Sequence, residues 1–137
     1  VAEIASMDLI VLADDEGNSV SVKVLGRHRS WPNALAAQIV VETPFVRGRI
    51  DLALWTSNLR EWAQALDRLG AGEDIAWMRM SRGPSVFIQL TGERDCPEVV
   101  VEDEFGSMVT VRVPVVLPED WVTQHRQRVH ALVAACG

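Results

Sequence analysis

Apolar and polar residues alternate strictly along four stretches of the chain. Val20, Val22 and Val24 alternate with Ser19, Ser21 and Lys23, and Ile50, Leu52 and Leu54 with Arg49, Asp51 and Ala53; Val86, Ile88 and Leu90 repeat the pattern, as do Val109, Val111, Val113 and Val115. A period of two marks a strand with one buried face. Weaker strand signals at 8–13, 35–42, 75–80 and 98–102 bring the expectation to about eight short strands.

Two segments switch to a helical period. Over 57–69, Leu59, Trp62, Ala63, Leu66 and Leu69 form one stripe, and Arg60, Glu61, Gln64, Asp67 and Arg68 fall outside it. Asn58 followed by Glu61 resembles a capping box, Ser57 is a competing cap, and Gly70 stands where a left-handed residue ends a helix. A second helix is expected over 119–135, just after Pro118. Trp121, Val122, His125, Val129, Leu132, Val133 and Cys136 share one of its faces. His125 in that face reads as a core histidine with a satisfied ring nitrogen. His130 points the other way, and a spacing of five does not make a metal-binding pair.

Between strands, VLADDEGNSVSVKV (11–24) and VVEDEFGSMVTVRV (100–113) align without a gap. Both place Asp at the first position of a four-residue turn, where its carboxylate can bond N–H groups ahead of it, and Gly at the fourth. Asp14 to Gly17 and Asp103 to Gly106 are therefore expected to close hairpins with a bulge at the glycine. Shared turn chemistry explains the likeness better than duplication, because 25–56 has no counterpart after 113. Neither turn has the twelve-residue loop and closing Glu of a calcium hand.

At 137 residues and 48% hydrophobic, the chain is expected to form a single domain over 1–137, with 1–6 a loose lead-in. A net charge of −6 argues against a nucleic-acid partner, since phosphates demand an excess of Lys and Arg. The apolar run Met7 to Ala13 has no preceding positive charge and ends at Asp14, so neither a signal peptide nor a membrane contact is expected, and the cytoplasm is the expected location. Cys96 and Cys136 lack the spacing of a zinc site and are expected as free thiols.

Chemistry-bearing motifs are absent from the sequence: it has no G-x-S-x-G, no phosphate loop, no H-E-x-x-H and no dinucleotide glycine signature. No catalytic residue, cofactor or metal is assigned. Five tryptophans and no tyrosine remain to be explained. Trp62 and Trp121 lie on buried stripes. Trp55 has the polar parity of its strand and Trp31 lies in the turn HRSWPN, which makes them candidate binding anchors. Residues 23–60 carry six basic and two acidic side chains, against one basic and six acidic in 91–107. Such segregation can steer a charged protein partner. Arg27, Arg29, Arg47 and Arg49 fall in turns or on outward parity and are the expected contacts with an acidic one.

The succession of a D-x-x-G hairpin, LGR (25–27), PFVRGRIDLALW (44–55), LREWAQALDRLGAGEDIAW (59–77) and RGPSVFIQL (82–90) resembles a family of small actinobacterial domains of unknown function. The order of strands, an L-x-x-W-x-x-A-L helix and further strands is also similar to the immunity proteins of WapI-type toxins. The first resemblance implies a fold and no activity; the second implies a protein partner. Together these readings predict an α+β domain, an antiparallel β-sandwich or strongly curved sheet of about eight strands with one mid-chain and one C-terminal helix. The expected function is a non-enzymatic protein-binding module, immunity-like or an accessory factor. A small-ligand domain with a pocket between sheet and helix is the alternative, and a hydrolase has the least support.

Overall fold

A computed structural model describes residues 6–79, 82–93 and 95–136. The lead-in expected over 1–6 lies outside them except for Ser6. The elements run β1 (Met7–Ala13), β2 (Ser19–Arg27), β3 (Leu35–Glu42), β4 (Arg47–Leu54), α1 (Thr56–Gly70), β5 (Ile75–Trp77), β6 (Ser85–Gln89), β7 (Glu98–Glu102), β8 (Thr110–Pro114) and α2 (Trp121–Cys136). The fold is α+β: two open four-stranded antiparallel sheets, β1-β2-β3-β4 and β5-β6-β7-β8, each followed in the chain by a helix.

Strand alternation decides which face is dry. Val20, Val22 and Val24 of β2 stand beside Leu35, Ala37, Ile39 and Val41 of β3 and Leu52 and Leu54 of β4, all buried on the inner face of the first sheet. Val86, Ile88, Val99, Val101, Val113 and Val115 do the same for the second. Leu59, Trp62, Leu66 and Leu69 of α1 join both in one apolar core, as do Trp121, Val129 and Leu132 of α2. Val133, expected on the buried face of α2, is half exposed. The helix packs on β1 and α1, and that contact is narrower than its apolar stripe.

The helix ends differ from the expected caps. Trp55, not Asn58 or Ser57, is the N-cap residue of α1; Asn58 lies one turn inside, where its Oδ1 accepts the Trp55 N–H at 2.8 Å. The left-handed glycine is Gly72, with φ of 85°, and Gly70 still belongs to the helix. A Cβ on Gly70 would lie 3.2 Å from the Arg126 guanidinium and 3.7 Å from Val122, so its smallness serves the approach of α2. Glu61, outside the apolar stripe, accepts the Met78 N–H at 2.7 Å and ties α1 to the end of β5.

The two similar hairpins solve one problem in two ways. In the first, Asp14 accepts from the N–H groups of Glu16 and Asn18, and Gly17 adopts a φ of 88° as a bulge requires. In the second, Asp103 accepts from the Ser107 N–H and hydroxyl, but the left-handed residue is Met108, with φ of 63°, and not Gly106. Gly106 is needed for space, since a Cβ there would stand 2.6 Å from the Asp103 carboxylate. Four strands precede each helix, the equal number that duplication would give, yet the similar stretches join β1 to β2 in one sheet and β7 to β8 in the other, which are not equivalent places.

Candidate functional site

The outer face of the first sheet is wet, and it is concave at one end. Past Val24 the β2–β3 register slips, so that Leu25 and Gly26 together oppose Ala36. This is a β-bulge, and Gly26 adopts a positive φ of 146° that a side chain would disfavour. Leu25, Gly26, Ala36 and Ala53 line a hollow of about 880 Å³ that is open to solvent. Gln38 and Asp51 close one side, with the Gln38 amide donating to the carboxylate at 2.9 Å.

The loop from His28 to Ala34 forms the opposite wall. His28 N–H donates to the Ala34 carbonyl and Ala34 N–H to that of Trp31, both at 2.9 Å. The His28 Nδ1 accepts from the N–H groups of Ser30 and Trp31, so the ring organises its own loop. Its face stacks on Trp31, with centroids 4.6 Å apart and planes at 20°. On its other flank Trp31 meets Trp55, 5.9 Å away and tilted by 36°. The outcome is an aromatic shelf whose two indoles are 51% and 40% exposed. A second hollow, of about 360 Å³, continues past Trp55 toward Asn58, Arg82 and Pro84.

Trp31 and Trp55, 24 residues apart, are thus brought together with Arg27 and Arg29 beside them. Arg47 and Arg49 are not in this group. The register sets Arg47 against Glu42, whereas the shelf end of the sheet is marked by the Leu35–Leu54 and Arg27–Leu35 pairs. Seven residues of strand, roughly 23 Å, separate the two ends. Arg47 approaches Glu42 at 3.9 Å, a loose surface ion pair. The expected arginine surface is therefore two patches joined by the outward row of β4.

His28, Asp51, Gln38 and Arg82 belong to the site but had not been singled out as partners of Trp31. The clue for His28 was available: a side chain two and three residues before amides in a tight turn is placed to cap them. The acidic stretch on the other sheet is less free than its count suggests. Glu98 is buried and paired with Arg112 across β7 and β8, whose guanidinium it holds in the charged form. The Ser107 N–H and hydroxyl hold the Asp103 carboxyl below its ordinary value.

Elsewhere, a crevice of about 220 Å³ lies between the two sheets, lined by Ile39, Val41, Ile50, Val101 and Val111 and open above Gly48, whose missing Cβ would meet nothing within 4 Å. The alternative reading had put a pocket between sheet and helix; this one is between the sheets. Among the described residues no three His, Cys, Asp or Glu side chains are grouped to hold a metal ion, and both cysteines are free thiols. No described helix is long and apolar enough to cross a membrane. No curated protein matches the chain. A family model does match residues 7–137, and the chain belongs to that family of unknown function, DUF5959.

Proposed function

We propose that the domain is a non-enzymatic protein-binding module whose recognition surface is the shelf of His28, Trp31 and Trp55 with the hollow beside it. The observation that carries this reading is Trp31, a large indole left half in water yet fixed by His28 on one side and Trp55 on the other. A ring already immobilised loses little entropy when a partner covers it, and a buried Trp is a common binding hot spot. Arg27 and Arg29 border the hollow and Arg82 its extension, while the nearby Asp51 already accepts from Gln38. The partner is accordingly a protein segment that offers a planar or apolar side chain between carboxylates. The resemblance in layout to toxin-immunity proteins supports an immunity-like or accessory role in the cytoplasm, opposite an acidic partner.

The test is recovery of partners from the native cytoplasm by the wild type, Trp31→Ala, the double reversal Arg27→Glu with Arg29→Glu, and a control reversing Glu102 and Glu104 to Arg. Trp31→Ala is expected to weaken capture by about 2 kcal/mol or more, and the arginine reversal to slow association and remove its salt dependence. Equal recovery by all four proteins would sink the reading. The small-ligand alternative draws its support from the open space above Gly48. If it holds, Gly48→Leu fills the crevice and abolishes the shift in melting temperature given by an apolar ligand, while Trp31→Ala leaves that shift unchanged.

A further inference from the structure

Each sheet has two outer edges, and three of the four are blocked. Along β1, the Val11 N–H that points outward donates to the Nε2 of His125 on α2 at 3.0 Å. Short β5 lies against α1, with the Trp77 indole N–H donating to the Asn58 carbonyl. On β8 the residue opposite Glu98 is Pro114; the Asp103 N–H to Val109 carbonyl bond fixes the alternation, which turns the nitrogen of Pro114 outward without a hydrogen to give. The eight residues of β4 have no such device.

The geometry of that edge is fixed by its hairpin. Thr43 N–H donates to the Val46 carbonyl, and counting along the antiparallel register from there assigns Gly48, Ile50, Leu52 and Leu54 to the ladder with β3. The N–H and C=O groups of Arg47, Arg49, Asp51 and Ala53 therefore face away from it. Among the described residues none of these groups has a hydrogen-bond partner within the chain. The inter-sheet crevice runs beside residues 46–50 and the smaller hollow beside 51–55, so the edge is accessible along its length.

We infer that two copies of the chain join edge to edge through β4, antiparallel about a two-fold axis at Ile50. This register sets Arg49 opposite Asp51 of the second copy, twice by symmetry, and the backbone groups of those two residues are among the ones left free. It sets Gly48, with open space where a side chain would be, opposite Leu52. It also brings Phe45, at 93% the most exposed large apolar side chain among the described residues, toward Trp55 of the second copy, itself 40% exposed. One register thus matches opposite charges, fills a gap and covers two exposed aromatic rings. A slip of two residues sets Arg49 against Arg49 of the second copy in one direction and Asp51 against Asp51 in the other, and in both it takes Phe45 away from Trp55. This pairing shares Trp55 and Asp51 with the surface proposed for the shelf, but its test, self-association of the pure chain, needs no other partner.

Sedimentation velocity across a dilution series tests it. The wild type is expected to dimerise. Asp51→Arg and Arg49→Asp each place like charges opposite one another twice, and each should weaken the dimer roughly 100-fold. Combining the two substitutions restores opposite charges and should restore association, with circular dichroism confirming the fold throughout. In a background with Cys96 and Cys136 changed to Ser, Ile50→Cys should form a disulfide between copies, because facing residues at a non-hydrogen-bonded position stand about 4.5 Å apart at Cα. Gln38→Cys, on the interior strand β3, should not. A wild type that stays monomeric, a dimer indifferent to both reversals, or an Ile50→Cys protein that does not cross-link would each overturn the inference. The cross-link decides the matter if the charge variants fail to fold.

Discussion

The imidazole of His125 accepts the Val11 N–H through Nε2 at 3.0 Å and holds the Trp121 carbonyl with Nδ1 at 2.6 Å. Since Nε2 must accept, the hydrogen of the neutral ring resides on Nδ1, which donates to the carbonyl. Both nitrogens are used, 114 residues of chain are bridged, and the ring is only 1% exposed. Burial is the chief reason that its pKa lies below the ordinary 6.5; the positive charge of Arg128 lowers it further, while the bond to Trp121 acts in the other direction.

That depressed pKa makes stability depend on pH with a definite sign. The unfolded chain takes up a proton near 6.5 and the folded chain resists, so this contribution is complete above 6.5 and is lost as pH falls toward the folded value. Urea midpoints should drop on acidification below 6.5, with a slope of at most about 1.4 kcal/mol per pH unit. His125→Gln should lower stability at pH 7 and flatten that slope. The carboxyl of Asp14, which slight burial pushes up but the bonds from Glu16 and Asn18 hold below 3.8, acts in a separate and more acidic window. An unchanged slope in His125→Gln would show that another group carries the effect.

Trp62 and Trp77 meet in the core at 5.5 Å, both fully buried, but they differ in their polar ends. The Trp77 N–H donates to the Asn58 carbonyl at 2.9 Å; that of Trp62 has no hydrogen-bond partner among the described residues. Trp62→Ala should cost ~3–5 kcal/mol through the void it leaves. The phenylalanine variants separate packing from bonding: Trp77→Phe also removes the indole bond to the Asn58 carbonyl, at an added cost of about 0.5–1.5 kcal/mol, whereas Trp62→Phe carries only the packing loss. Chemical denaturation of the three variants checks the order.

The turn glycines should fail for different reasons. Gly17→Val forces a β-branched residue to a φ of 88° and is expected to cost about 1–2 kcal/mol. Gly106→Ala meets no positive φ but displaces the Asp103 carboxylate, and with it the bonds to Ser107. Adding Asp103→Asn to each separates them: the loss at Gly106 should be coupled to residue 103 in a double-mutant cycle, and the loss at Gly17 should simply add.

Period-two alternation located the buried face of β2, β4 and β6 and, at Val113 and Val115, of the segment that holds β8, where Val109 is instead exposed; solvent on one side of a sheet leaves a direct mark on composition. The same parity correctly put Trp55 on the wet side. What alternation does not carry is the bulge at Leu25 and Gly26, where one extra residue redirects two side chains and creates the hollow. Nor does it show that Trp31 and Trp55 touch, since their meeting depends on two successive strand pairings and a loop folded by its own histidine. Local signals misled at helix ends: Asn58 has the right chemistry for a cap but reaches back to bond the residue that fills that place, and Gly70 answers to α2 rather than to backbone conformation.

Every strand pairs with its neighbour in sequence, so nearly all loop closures in this fold are short and entropically cheap. The seating of α2 on β1 is the exception, and it joins the first element to the last. During synthesis β1 to β4 can assemble with α1 well before α2 leaves the ribosome. Until then the outward amide of Val11 has no acceptor from His125, and the outer edge of β1 remains open to other nascent chains. The interval before α2 docks is therefore the period in which this protein is most prone to misassemble.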